Sequence, residues 1–359
     1  MQTCRGVKVT ESLTSIAKIE NVLIRAGDCA VTVLPQFGGK IASIRIGKRE
    51  LLQTPLAPIA PRTRTMAFDA GDASGWDECL PSVAACRVET EGGTAEIPDH
   101  GDLWRVEWRE QGLGIREQGL GNSHPFQPKS RDGATGSGQV AESLTLIGKC
   151  FSLPLELERG LELVEVVGGW RLKLQYKLRN TSSQTVPWSW AAHALFAVEE
   201  GDRIVLPDRI RSLRLEGSGG DRLGQSGDSV AWPMATLADG RQVDLSVAPA
   251  PDSGVGDKLF AGPLGVEENW CALERPSAGV RIRVTFDVAA TPYLGLWMCY
   301  GGWPERPGPK QLCVAVEPTT APVDSLAVTG PWSRTLVPGK CFSWPMEVEI
   351  DRIREMNNA

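Results

Sequence analysis

The stretch Trp170-Arg171-Leu172-Lys173-Leu174-Gln175-Tyr176-Lys177-Leu178-Arg179 alternates apolar and polar side chains without a break. Side chains on a strand point to opposite faces with a period of two, so this pattern describes a strand with one face in a core and the other in water. Asn180-Thr181-Ser182-Ser183 then turns the chain, and Val186–Phe196 runs on as an apolar strand. Alternation from Trp188 places Trp188 and Trp190 on one face of that strand and His193 on the other. Further strands read at Val280–Val288, Tyr293–Tyr300, Leu312–Val316 and Phe342–Ile350. Upstream, Cys29–Leu34, the turn Pro35-Gln36-Phe37-Gly38-Gly39 and Lys40–Ile46 make a hairpin by spacing and turn chemistry. No helical periodicity is long enough for βαβ units. The expected fold is therefore all-β, a large multi-stranded antiparallel sandwich. Neither a composition break nor a repeat divides the chain. We expect an N-terminal extension over residues 1–21, in which 11–20 have the pattern of a short helix, one β-sandwich domain over 22–350, and a C-terminal tail over 351–359.

Composition narrows the function. The 359 residues carry a net charge of −6, which argues against nucleic acid and anionic membranes as partners. No apolar run approaches the roughly 18 residues of a membrane span. The N-terminal residues lack the basic, apolar and small-residue order of a signal peptide. The nine cysteines are odd in number and contain no CxxC pair, so we expect free, reduced thiols and a cytoplasmic location. Two segments interrupt the strand pattern. Residues 53–75, rich in Pro, Arg, Asp and Gly, read as a long surface excursion. Residues 111–139, which hold His124, read as a mobile, solvent-facing connection.

Only three histidines occur, at 100, 124 and 193. His100 lies in Ile97-Pro98-Asp99-His100-Gly101-Asp102-Leu103-Trp104, between carboxylates and within a turn. His193 interrupts the apolar run Trp190-Ala191-Ala192-His193-Ala194-Leu195-Phe196. Glu317 follows Leu312-Cys313-Val314-Ala315-Val316 and precedes Pro318, which reads as a strand end. A buried carboxylate is costly unless paired, so Glu317 needs a partner. A core histidine bonded to backbone and a structural ion pair account for His193 and Glu317 as well as a catalytic role does. Asp99, His100, Asp102 and Asp77 make a weak metal signature, and no metal site is expected. No GxSxG motif supports a serine hydrolase.

The hairpin with its Pro-x-x-Gly-Gly turn, Pro98-Asp99-His100-Gly101, Trp190–Phe196 and Val316-Glu317-Pro318 occur in an order that resembles the aldose 1-epimerases, the galactose mutarotase-like proteins. The resemblance runs from Val22 to Ile350. It implies a β-sandwich with a sugar in a groove on one sheet, and a cofactor-independent isomerase that interconverts the α and β anomers of an aldose. Carried across, Glu317 matches the general base, His193 the general acid, and His100 the residue that holds the sugar near C1 and the ring oxygen. The C1 hydroxyl loses a proton, the ring oxygen gains one, and the ring opens, rotates and closes. As substrate-binding residues we expect Asp77 and Glu78 for sugar hydroxyls, Trp104 as a stacking surface, and Arg64 and Lys258 as donors to hydroxyls or a phosphate. The expected partner is a small-molecule sugar, bound by a monomer or homodimer. The sequence departs from the family in two places. It lacks an Asn-Arg pair upstream of the first histidine, with only Arg62 and Arg64 nearby, and Ala191-Ala192 precedes His193. The sugar's identity therefore stays open. A hexose-6-phosphate mutarotase and a non-catalytic carbohydrate-binding protein are the alternatives.

Overall fold

In a computed structural model of the protein, which describes residues 20–114 and 142–353, the alternating stretch forms the strand Gly169–Asn180. It lies inside an eight-stranded antiparallel sheet, between Leu155–Val166 and Cys341–Arg352. Leu172, Leu174, Tyr176 and Leu178 are buried on the inner face. The wet face is held in register by opposite charges: Lys177 lies opposite Glu158, Lys173 opposite Glu162, and Arg171 opposite Glu349.

Facing it is an eleven-stranded sheet, also antiparallel. Its order is Val22–Ala26, Cys29–Leu34, Lys40–Ile46, Trp76–Cys79, Ala191–Ala197, Leu312–Thr319, Tyr293–Tyr300, Val255–Ala261, Ser212–Ser218 and Ser229–Ala231, with Arg49–Glu50 off Lys40–Ile46. One hydrophobic core, running from Ile24 to Ile350, fills the space between the sheets. The all-β sandwich is thus the observed architecture. In the first hairpin, Gly38 turns at φ 75°, and a side chain there would meet the Trp104 backbone at 2.5 Å.

Three strand expectations change. Val186–Phe196 is two strands: Val186–Trp188 pairs with Arg334–Leu336, and Ala191–Ala197 joins the large sheet. The break arises because Ser189 N–H donates to Pro81 O and Trp190 N–H to Thr320 Oγ1, so neither continues a ladder. Trp188 and Trp190 nevertheless both face the core, opposite to His193. Leu312–Thr319 does not end before Glu317 but carries it mid-strand. Pro318 is tolerated because the ladder to Ala191–Ala197 lapses at Ala192 and His193, where no N–H is required. The last strand runs two residues past Ile350, so the expected tail boundary at 351 falls inside it. The expected helix at 11–20 and His124 lie outside the described residues.

The sheets are joined by an ion pair as well as by apolar packing. Arg159, on the smaller sheet, is fully buried and donates to Glu78 Oε1 at 2.9 Å and to Gly39 O. Tyr176 Oη and Trp190 Nε1 complete the shell around Glu78, each at 3.0 Å. Removing one partner of such a pair strands a buried charge. Arg159→Met should therefore cost about 3–5 kcal/mol in urea unfolding. The double variant Glu78→Gln/Arg159→Met should lose less, because no uncompensated charge remains.

Candidate functional site

The outer face of the large sheet carries the polar residues that the strand pattern predicted on the far side from the core. His193 lies opposite Asp77 on one neighbouring strand. In the register that pairs Ala191 with Thr319 and Ala194 with Val316, Glu317 falls opposite His193 on the other. Glu317 in turn lies opposite Gly295. A side chain at Gly295 would meet Phe260 Cε1 at 3.0 Å and Glu317 Oε2 at 3.2 Å, so the glycine makes the room into which the carboxylate bends.

Above this row is a cavity of about 440 Å³, lined in part by His100, His193, Lys258 and Asp324. Glu317 Oε1 and His193 Nε2 face each other at 3.9 Å, too far for a hydrogen bond. Glu317 Oε1 and His193 Nδ1 are both buried without a hydrogen-bond partner. The other carboxylate oxygen, Oε2, accepts a hydrogen bond from Lys258 Nζ, and Asp324 Oδ1 stands 3.7 Å from the same ammonium. Glu317 itself is fully buried and lies beneath His193 and Lys258.

His100 enters from the loop after Ile97. Its backbone is left-handed, at φ 57°, and is held by its N–H donating to Val83 O at 2.5 Å and by Gly101 N–H to Pro98 O at 2.9 Å. Its Nδ1 sits 2.9 Å from Asp99 Oδ2. The ring stacks on Phe68 with centroids 3.6 Å apart, and Phe68 also meets the edges of His193 at 5.5 Å and Trp104 at 5.2 Å. Phe68 therefore holds both histidine rings at once.

Burial pushes the Glu317 carboxyl above the usual carboxylate range; Lys258 opposes this rise and Asp324 adds to it. Burial and the charges of His100, Lys258 and Lys40 hold His193 well below the ordinary histidine value. For Lys258, burial alone would lower the ammonium, but Asp324 and Glu317 outweigh it and raise it instead. Desolvation would raise Asp99, yet the adjoining His100 imidazole, with Arg105, brings it down.

The structure brings His100, His193, Glu317 and Lys258 together and leaves the other expected residues elsewhere. Asp77 is committed to buried ion pairs with Lys40 at 2.7 Å and Arg62 at 3.2 Å. Glu78 points the opposite way, into the core network with Arg159. Trp104 is fully buried, its ring covered by Arg105 at 4.1 Å, Arg62 at 5.1 Å and the Phe68 edge, so it has no free face for a sugar. Arg64 is exposed and rests over the Phe151 ring at 4.9 Å, away from the cavity. Asp102 accepts from Phe151 and Ser152 instead of approaching His100. Among the described residues, no group of three or more His, Cys, Asp or Glu is placed to hold a metal ion.

The segment 53–75 is a surface excursion, mostly exposed from 54 to 70, that is pinned to the sheet at Arg62 and Phe68. The buried Arg62 guanidinium donates to Trp104 O at 2.6 Å and Phe37 O at 3.0 Å, which straps the segment across the sheet and delivers Phe68 to the histidines. Phe68, Asp324, Trp297, Trp303 and Gln311 are cavity residues that the sequence reading missed. Trp297 was accessible to it, since it alternates with Gly295 and so shares the face of Glu317. The eight cysteines among the described residues are free thiols. No helix among these residues is long and apolar enough to cross a membrane.

No family model matches the chain, and no curated protein sequence matches it. Solved structures do. A galactose mutarotase related enzyme from Lactobacillus acidophilus superimposes with a TM-score of 0.61 at 14% identity, over 94% of this chain and 99% of that one. A galactose mutarotase-like protein from Lactobacillus casei gives 0.58 at 16%, over 92% and 100%. A GalM/aldose epimerase homologue from C. elegans gives 0.56 at 12%, over 93% and 99%. The chain has the galactose mutarotase-like fold, as the order of its motifs implied.

Imidazole NMR should find His193 titrating below the ordinary 6.5. Lys258→Met, by removing a nearby cation and releasing Glu317, should move that titration upward. An unchanged or downward shift would mean that Lys258 does not govern the pair. The same group makes folding pH-dependent. Below pH 6.5 the unfolded chain takes up a proton that native His193 resists, so stability falls as pH drops through that value.

Proposed function

We propose that the protein is an aldose 1-epimerase-like isomerase acting on an unphosphorylated sugar. The observation that carries this reading is the unpartnered Glu317 Oε1 facing His193 Nε2 across 3.9 Å, beneath a cavity that His100 overlooks. Glu317 removes the proton from the C1 hydroxyl and His193 supplies one to the ring oxygen, with the roles exchanged on ring closure. The upward displacement of Glu317 and the downward displacement of His193 move their proton affinities toward each other, which suits a pair that trades a proton in both directions. His100, with its Asp99 partner, positions the ring. The proton acceptor is the unpartnered Oε1, while Lys258 stays on Oε2.

A phosphorylated substrate fits less well. Among the described residues, Lys258 is the only Lys or Arg that lines the cavity, and it already serves Glu317 and Asp324; Asp69 and Asp99 add negative charge. The cover over Glu317 favours a second reading, a sugar-binding protein without turnover.

Saturation-transfer NMR of anomer exchange across a panel of free aldoses separates these readings. We expect accelerated exchange for at least one aldose, near-complete loss in Glu317→Gln and a smaller loss in His100→Asn. The rate should fall as pH drops through the raised Glu317 value, because the base must be ionised. Binding without exchange would select the second reading, and a Glu317→Gln protein as active as the wild type would remove Glu317 from the mechanism.

A further inference from the structure

We propose that Trp297 and Trp303 form a second sugar subsite, so that the ligand is the reducing end of a disaccharide or longer glycan. The inference rests on the isomerase reading for its orientation. Proton transfer at C1 and the ring oxygen fixes which edge of the pyranose lies over His193 and Glu317. The opposite edge, which carries the C4 hydroxyl, then points away from that pair, and a further sugar attached there must lie along the cavity.

What lies along the cavity is aromatic. Trp297 is opposite Ala315, and Ala315 is opposite Leu195, so the indole stands one alternation along the strands from the His193 row. At roughly 3.4 Å per residue this offset is about 7 Å. The edge of the Trp297 ring reaches Gly256, where a side chain would meet its Cη2 at 3.2 Å. Its Nε1 donates to Gln311 Oε1 at 3.1 Å, and Gln311 Nε2 donates to Ala73 O at 2.7 Å, so the ring's orientation is set from two sides. Trp303 packs against both the Leu195–Cys299–Cys313–Ala315 cluster and the Phe68–Ala73–Trp104 cluster, and so joins the sheet face to the 53–75 segment. Both indoles are only partly buried and both line the cavity.

The proton transfers use neither ring. A half-buried indole whose orientation is already fixed offers apolar ring surface to the C–H face of a pyranose, with little loss of side-chain freedom on binding. The cavity, at about 440 Å³, lies in the range of roughly 300–1,000 Å³ that encloses drug-sized ligands, which are larger than a single hexose.

The test compares glucose with maltose, cellobiose and lactose, which share a reducing glucose. Binding is followed by titration calorimetry on Glu317→Gln protein, and anomer exchange by NMR on the wild type. At least one disaccharide should exceed glucose by about tenfold in affinity or in kcat/KM. Trp303→Ala should bring that ratio to about one, while Trp303→Phe, which keeps an aromatic face, should retain most of it; melting temperatures of both variants establish that they fold. If no disaccharide exceeds glucose, or if both variants lose the ratio equally, the subsite is refuted. Glucose exchange without any disaccharide preference leaves the isomerase reading standing alone. Tighter disaccharide binding that Trp303→Ala removes, with no exchange of any sugar, supports the subsite and refutes the isomerase.

Discussion

Burying a carboxylate in a β-sandwich is costly unless it is paired or hydrogen-bonded, and three buried ion pairs that meet this requirement organise both faces of the large sheet. On the inner face Glu78 takes Arg159 from the opposite sheet, with Tyr176 and Trp190 supplying the remaining donors. On the outer face Asp77 takes Lys40 and Arg62, and Glu317 takes Lys258. Each pair ties distant parts of the chain together. Arg159 fixes the spacing of the two sheets, Arg62 fastens the 53–75 segment to the sheet, and Lys258 joins two strands at the cavity floor. Their value lies less in net stability, since buried pairs cost much desolvation, than in specifying one arrangement among many apolar packings.

Glu317 differs from the other two carboxylates in keeping one oxygen unpartnered. Asp77 and Glu78 are satisfied on every side that the structure shows and act as fasteners. Glu317 is satisfied on one oxygen only, and the free one faces an imidazole. This asymmetry separates a group available for chemistry from groups consumed by architecture, although all three carboxylates are equally buried and lie within one small patch of the sheet.

Much of the frame was legible in sequence. The Trp170–Arg179 alternation places one face in the core because a period of two admits no other reading, and the same rule puts His193 on the far side from Trp188 and Trp190. That rule, applied further, also bears on Asp77 and Glu78: adjacent residues of a strand point apart, so both could not line one cavity. Other features were hidden for physical reasons. Glu317-Pro318 resembles a strand end because proline lacks an N–H, yet the sheet spares it by a lapse in the neighbouring ladder. Phe68 sits in a segment without periodicity, and its stacking on His100 depends on a strap, Arg62, whose acceptors are 25 and 42 residues away. The displacement of Trp104 into the core follows from the same strap. Tertiary contacts of this kind leave no local signature.

The distribution of the site between strands and loops has a consequence for its motion. Glu317, His193 and Lys258 belong to central strands with a neighbouring strand on each side, and although the ladder lapses between His193 and Glu317, displacing these strands requires opening of the sheet. His100 and Phe68 sit on connections held by a few hydrogen bonds and can open locally at far lower cost. The floor of the cavity is therefore the slow part of the molecule and its roof the fast part. Entry and departure of a ligand can proceed at the pace of the roof without disturbing the alignment of the pair beneath it.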